Sequence, residues 1–300
     1  MPASVFKRLI GKSVRLLQRW AEEPPGATGP MDAWAAPYTL NPLFVQLVEG
    51  DRIGSRYTWP AIQAASLARR LGYDRVSFIE FGVAGGNGLL NLEQNAAVLE
   101  THFGIGIDVY GFDTGTGLPR PKDYRDLPNL WHEGAFQMDA KRLQARLRRA
   151  RLMLGPVAET VPAFIATAPA PIAFVSFDLD FYSSTTDALA LFDAEPGRLL
   201  PRVHCYFDDI LGYTFCEFNG ERLAITDFNA AHRLRKVAAI PGLRYFVPDR
   251  FTKSPWWDRY YLLHIFDHDG YARNDATIDP ANPLLALREP ARHEGPCATK

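Results

Sequence analysis

The chain has 300 residues, of which 47% are hydrophobic and 22% charged, ordinary usage for a globular protein large enough to bury a full core without staples. Lys+Arg 33 against Asp+Glu 34 leave a net charge of −1, which argues against a whole-protein role in neutralising nucleic-acid phosphates. Cys205, Cys216 and Cys297 are odd in number and form no CxxC, so they indicate neither a disulfide framework nor a zinc site and fit a reducing, cytoplasmic compartment.

Residues 1–20 set Val5, Phe6, Leu9, Ile10, Leu16, Leu17 and Trp20 among Lys7, Arg8, Lys12, Arg15 and Arg19. Charges interrupt every apolar stretch of signal-peptide length, so the pattern is a basic amphipathic helix. Such a helix packs on the protein's own body or on a second subunit, or lies on an anionic membrane as a peripheral contact. No apolar run reaches the roughly 18–20 residues of a membrane span. A Pro/Gly-rich link follows at 21–37 and a short helical patch at 41–50. Residues 1–60 are therefore read as an N-terminal helical extension, 61–275 as the main domain and 276–300 as a loosely ordered tail.

Trp59-Pro60 opens a helix that runs to Leu71 and is ended by Gly72. Val76–Glu80 is a buried-strand pattern, followed by a glycine turn and a helix to Phe103. Ile107–Asp113 is strand-like, 114–138 a long loop, and Asp139 caps a basic helix. Leu152–Gly155 is a short strand and Glu159–Ala166 a helix. Ile172–Asp178 is a strand, Thr185–Phe192 a helix, and Val203–Asp208 another strand. Gly220–Ala239 reads as helix, with strands at Leu243–Val247 and Tyr260–Phe266, a candidate hairpin pair. Alternating strand and helix implies an α/β fold with a largely parallel sheet, whose ligand crevice lies outside the carboxyl ends of the strands.

The informative residues fall at those ends. The first turn, Glu80-Phe81-Gly82-Val83-Ala84-Gly85-Gly86, has Ala at 84 and no frame that gives GxGxxG, which disfavours a pyrophosphate cofactor. Its E-x-G-x-x-x-G spacing suits a nucleoside with an amino-acid tail. Asp113, ending the next strand, can accept from a ribose diol; the plainer reading is a loop carboxylate that caps a helix.

Glu80–Gly86 (EFGVAGG), Phe112–Pro119 (FDTGTGLP), Asp178–Thr185 (DLDFYSST) and Asp208-Asp209 together resemble the macrocin-type sugar O-methyltransferases, class I enzymes that use S-adenosylmethionine (SAM) and a divalent cation. The resemblance covers about residues 75–215 and implies a Rossmann-like seven-stranded, mostly parallel sheet with helices on both faces. It implies that Glu80, Gly82, Val83 and Gly86 line the methionine end of SAM, that Asp113 holds the ribose, and that Gly155 lies near the adenine. Mg²⁺ or another hard divalent cation is implied on Asp178, Asp208 and Asp209. The stretch 215–229 has no counterpart in the resemblance and is expected to shape the acceptor pocket.

The carboxylates carry a physical argument of their own. Each pair of like charges ~4 Å apart repels by about 4 kcal/mol at an effective dielectric near 20. A proton or a cation must offset that, and all-oxygen ligands select a hard ion. The alternative is that Asp178 and Asp180 cap loops while Asp208 and Asp209 pair with arginines. Asp180, two residues beyond Asp178, is the candidate general base for an acceptor hydroxyl, with Asp178 beside it in the catalytic set. Ser183, Ser184 and Thr185 are read as caps of the following helix. Trp131 and His132 are candidate contacts from the long loop, and Trp256–Tyr261 is either a sugar-stacking wall or core. No G-x-S-x-G, P-loop or H-E-x-x-H occurs.

The expected activity is methyl transfer from SAM to a hydroxyl of a sugar, glycoside or similar small polyol, with a metal-independent methyltransferase or a non-catalytic SAM-binding module as alternatives. Expected partners are a small-molecule acceptor and a second copy of the chain, with no nucleic acid.

Overall fold

The computed structural model describes residues 43, 44, 47, 56–246 and 249–273. The amphipathic helix expected over 1–20, the link at 21–37 and the tail at 276–300 lie outside the described residues. In the patch expected over 41–50, residues 43, 44 and 47 are helical.

The elements alternate as anticipated: α1 (Thr58–Leu71), β1 (Arg75–Phe81), α2 (Asn87–Phe103), β2 (Gly106–Asp113), α3 (Ala140–Gln144), β3 (Arg151–Leu154), α4 (Val157–Ala166), β4 (Ile172–Phe177), α5 (Tyr182–Leu189), β5 (Leu199–Phe207), α6 (Gly220–Ala231), β6 (Arg235–Ala239) and β7 (Tyr260–Ile265). α1 stops where expected: Gly72 takes the left-handed φ of 83°, and its N–H reaches back to the Ala68 and Arg69 carbonyls. Asp139 caps α3 by accepting from the Arg142 N–H.

Two local expectations fail at the carboxyl-terminal end. The helix predicted over Gly220–Ala239 ends at Ala231, and Arg235–Ala239 is strand β6. Leu243–Phe246, predicted as the start of a strand, is a 3₁₀ helix. The partner of β7 is therefore β6, paired antiparallel from Arg235↔Ile265 to Ala239↔Tyr261. The helical preference of Arg, Lys and Ala in this stretch yields to the ladder that an open edge of β7 offers, a tertiary override of local propensity.

The seven strands run in the order β3-β2-β1-β4-β5-β7-β6. β3, β2, β1, β4 and β5 pair in parallel, while β7 is antiparallel to both neighbours. β1 and β4 are the central pair, and their runs VSFIEF and IAFVSF are buried at every position because helices cover both faces. The strand order reverses at β1, so the crevice opens between the carboxyl ends of β1 and β4.

Beneath that edge lies a row of four phenylalanines in register across adjacent strands: Phe112, Phe81, Phe177 and Phe207. Their ring centroids lie 4.8, 5.6 and 4.5 Å apart, and all four are fully buried. Truncating one to Ala costs about 3–5 kcal/mol by the rule for buried aromatics. The residue that follows each Phe stands on the rim: Asp113, Gly82, Asp178 and Asp208. Backbone bonds extend the ladder by one step there, from Gly82 N to Phe112 O, Asp178 N to Phe81 O and Asp208 N to Phe177 O, at 2.9–3.0 Å. The packed row thus holds one glycine and three carboxylates side by side at fixed height.

Candidate active site

A cavity of about 610 Å³ opens over this rim, within the range of small-molecule sites. Its wall includes Gly82–Gly88, Asp113, Pro156, Asp178, Asp180, Asp208 and Asp209. The expected Gly82, Val83 and Gly86 are therefore on the wall, together with Asp178, Asp180, Asp208 and Asp209.

The glycine turn is shaped by close approach. A Cβ on Gly82, at φ 81°, would sit 1.8 Å from the Asp178 carbonyl oxygen, and one on Gly86, at φ 83°, would sit 2.3 Å from a Leu143 methyl. Only glycine permits both the left-handed backbone and the contact. Helix α2 begins directly after Gly86 with no side-chain cap, and its first residues, Asn87 and Gly88, line the cavity. A helix N-terminus with free amides favours an anionic group such as a carboxylate. Together with the cavity this cradle fits the amino-acid end of a nucleoside cofactor.

Asp113 sits on the wall but already serves the turn. Its Oδ2 accepts from the Val83 and Ala84 N–H groups at 2.9 Å each, and its Oδ1 from Gly115 N at 2.7 Å. It is a loop-capping carboxylate as well as a candidate ribose acceptor; lone-pair capacity remains on Oδ1.

Two expected cofactor contacts lie off the wall. Glu80 is buried beneath the turn: its Oε1 accepts from Tyr57 Oη at 2.9 Å and its Oε2 has no partner. Burial raises its pKa to about 8, with neighbouring Asp178 and Asp113 adding to the rise against the opposing Tyr57 bond and Arg56. Gly155 is likewise absent from the lining, where Pro156, Val157 and Ala158 stand instead. A strand residue and the turn it feeds differ in depth by a full residue, which spacing alone does not resolve.

Beyond Gly82 on the same rim, Asp178, Asp180, Asp208 and Asp209 crowd. Asp180 is buried at the left-handed φ of 62°, uncommon for a non-glycine residue and tolerated by Asp. Its N–H donates to Asp209 Oδ2 at 3.2 Å. Burial, then repulsion from Asp178 and Asp208, raises its pKa to about 7. Burial and Asp208 raise Asp178 to about 6 against Arg56 and Arg259. Asp209 is pushed well up by burial and by Asp180. Behind it, in the stretch without counterpart in the resemblance, fully buried Glu221 accepts from Asp209 N at 3.0 Å, and its Oε1 is unpartnered.

Arginines supply the positive charge on two of these groups. Arg56 places Nη2 3.1 Å from Asp178 Oδ2 and Nη1 3.5 Å from Asp208 Oδ1. Arg259 also pairs with Asp208 Oδ1, and Tyr206 Oη donates to the same oxygen at 2.6 Å. The donor set suits a hard cation, but the side chains as arranged do not: among the described residues no three His, Cys, Asp or Glu are grouped so as to hold one metal ion. The expected Mg²⁺ on Asp178, Asp208 and Asp209 is thus not supported by this arrangement. For Asp208 the arginine-pairing alternative holds.

Arg56, Arg259 and Glu221 escaped sequence reasoning because nothing local marks them. Arg56 reaches partners 122 and 152 residues away. Trp131 does line the cavity, with an unpartnered indole N–H, whereas His132 is exposed and off the wall. Trp257 is core, packed against Phe44, Trp59 and Tyr260. Ser183, Ser184 and Thr185 do not cap α5: they lie inside it, after Phe181 at the N-cap position, and no side chain caps that end. Instead Asp126, buried in the long loop, accepts from the Ser183 N–H and Oγ at 2.8 and 2.9 Å, which ties that loop to α5.

No protein family and no curated protein sequence matches the chain. Solved structures do resemble it. The calicheamicin methyltransferase CalS11 has a TM-score of 0.49 at 20% identity, over 79% of this chain and 94% of that one. The O-methyltransferase NovP has a TM-score of 0.44 at 18% identity, over 59% and 72%. An O-methyltransferase from Bacillus cereus has a TM-score of 0.34 at 12% identity, over 87% and 89%. By strand order and the single reversed strand, the described chain has a Rossmann-like α/β fold with a seven-stranded, mostly parallel sheet.

Proposed function

We propose that the chain is a SAM-dependent O-methyltransferase acting on a hydroxyl of a sugar, glycoside or similar small polyol. The observation that carries this reading is one cavity in which a glycine cradle at a helix N-terminus adjoins four aspartates. On this reading the α2 amides and the turn Gly82–Gly86 receive the amino-acid end of SAM, and Asp113 receives the ribose. SAM, when bound, supplies an electrophilic methyl group.

The chain's own residues then have to orient an acceptor hydroxyl and take its proton. Asp180, on the cavity wall and held by its N–H bond to Asp209, is the residue assigned to accept that proton. Asp178 and Asp208, neutralised by Arg56 and Arg259, can accept from neighbouring hydroxyls and fix the direction of the reacting one. The long segment 114–138 borders the cavity and puts Trp131 and the exposed Phe136 on its wall. This aromatic pair on the wall supports an acceptor with an apolar or aromatic body attached to its polyol part.

A divalent cation on Asp178, Asp208 and Asp209 is the finer expectation of the sequence resemblance. Such an ion has to take the position that Arg56 holds, and no step above depends on it. The arginine pairing favours the second reading, a methyltransferase of the same fold that needs no metal.

Calorimetry with SAM, followed by transfer assays over a panel of sugars and aryl glycosides with and without Mg²⁺, tests the proposal. The expected result is a single SAM site and transfer to at least one hydroxyl. Absence of SAM binding overturns the reading, and binding without transfer across the panel favours a non-catalytic module.

A further inference from the structure

Arg56 is seated as firmly as a catalytic side chain, although it belongs to no motif. Its carbonyl accepts from Tyr260 Oη at 2.7 Å, which anchors the backbone. Its guanidinium carbon lies 5.1 Å from the Tyr57 ring centroid and 5.9 Å from that of Tyr206. Its two terminal nitrogens point to different carboxylates, Asp178 on one side and Asp208 on the other. Three donors, from Arg56, Arg259 and Tyr206, converge on the single oxygen Oδ1 of Asp208. A carboxylate oxygen has two lone pairs, so that oxygen has no capacity left for an ion. A guanidinium between two carboxylates repels a second cation there and occupies one oxygen of each, Asp178 Oδ2 and Asp208 Oδ1.

We infer that Arg56 and a divalent cation are mutually exclusive occupants of the position between Asp178 and Asp208, Arg56 being the counter-ion that the chain carries itself. Arg56 therefore sets whether this site takes metal. The inference rests on the ion-pair geometry and not on methyl transfer, so its test contains neither SAM nor acceptor.

The experiment is titration of the full-length chain with Mn²⁺ alone, free Mn²⁺ being read by electron paramagnetic resonance. Arg56→Met should bind one Mn²⁺ at least about tenfold more tightly than the wild type, a difference of about 1.4 kcal/mol. Adding Asp208→Asn to that variant should remove the gain. Equal affinity of wild type and Arg56→Met overturns the inference, and so does failure of both to bind. Should Arg56→Met not fold by near-ultraviolet circular dichroism, Arg56→Gln decides on the same readout. Glutamine keeps a polar side chain of similar reach and removes the charge; tighter Mn²⁺ binding than wild type supports the inference, and equal binding overturns it.

Discussion

Asp113 and Asp178 end two strands of one sheet, on the same edge, with Phe112 and Phe177 beneath them in the same aromatic row. Their surroundings nevertheless differ in kind. Asp113 is satisfied by backbone amides within 30 residues of itself. It faces no second carboxylate among its bonded partners. Asp178 shares its space with Asp180 and Asp208, and its counter-charge arrives from Arg56, 122 residues away. Amide donors cost nothing to bring in, since the turn is made of them. Like charges crowded at the other end of the edge require imported guanidinium groups and raised proton affinities. One half of the cavity is therefore built as a preorganised cradle and the other as a strained electrostatic assembly, the kind of place where proton transfer is found.

The largest expected effect separates the two halves. Asp180→Asn keeps a residue that tolerates the left-handed backbone and removes the proton acceptor. It should lower kcat by about 10²–10⁴-fold while leaving the SAM dissociation constant within about twofold. A loss confined to SAM affinity would erase the distinction between the halves. Asp113→Asn should do the converse. It weakens SAM by about tenfold, the size of one charge-assisted hydrogen bond at about 1.5 kcal/mol, with a smaller change in kcat at saturating SAM. Calorimetry and steady-state kinetics on the two variants read both effects.

The smallest effect concerns Glu80, the carboxylate beneath the turn. Its pKa rises from an ordinary 4.5 to about 8 on folding because it is buried. The folded chain thus holds this proton more tightly than the unfolded chain. The stabilisation is full below about pH 4.5 and is lost as the pH rises through about 8. Asp178 and Asp180 act in the same direction. Glu80→Gln should therefore make the fall in melting temperature between about pH 5 and 8 shallower without abolishing it. An unchanged slope would mean that Glu80 is ionised in the folded chain.

Much of the frame could be read from local pattern. The runs VSFIEF and IAFVSF are apolar throughout because both faces of a central parallel strand are covered. Gly72 and Asp139 mark helix ends by chemistry confined to one turn. The stretch 235–239 misled because its helix-prone residues form a strand only where β7 presents an edge. The position of Glu80 in a glycine motif says nothing of its depth, and only the folded chain puts it beneath the turn.

The order of strands and helices from α1 through β5, the glycine turn and the carboxylates at strand ends followed from the sequence, since each depends on residues within a few positions of one another. Tertiary structure decided which strand ends became neighbours, that Arg56 and Arg259 supply the charge on Asp178 and Asp208, and that Glu221 lies behind Asp209. Ion pairs form by proximity in space, and proximity between residue 56 and residues 178 and 208 exists only after the sheet has closed around them.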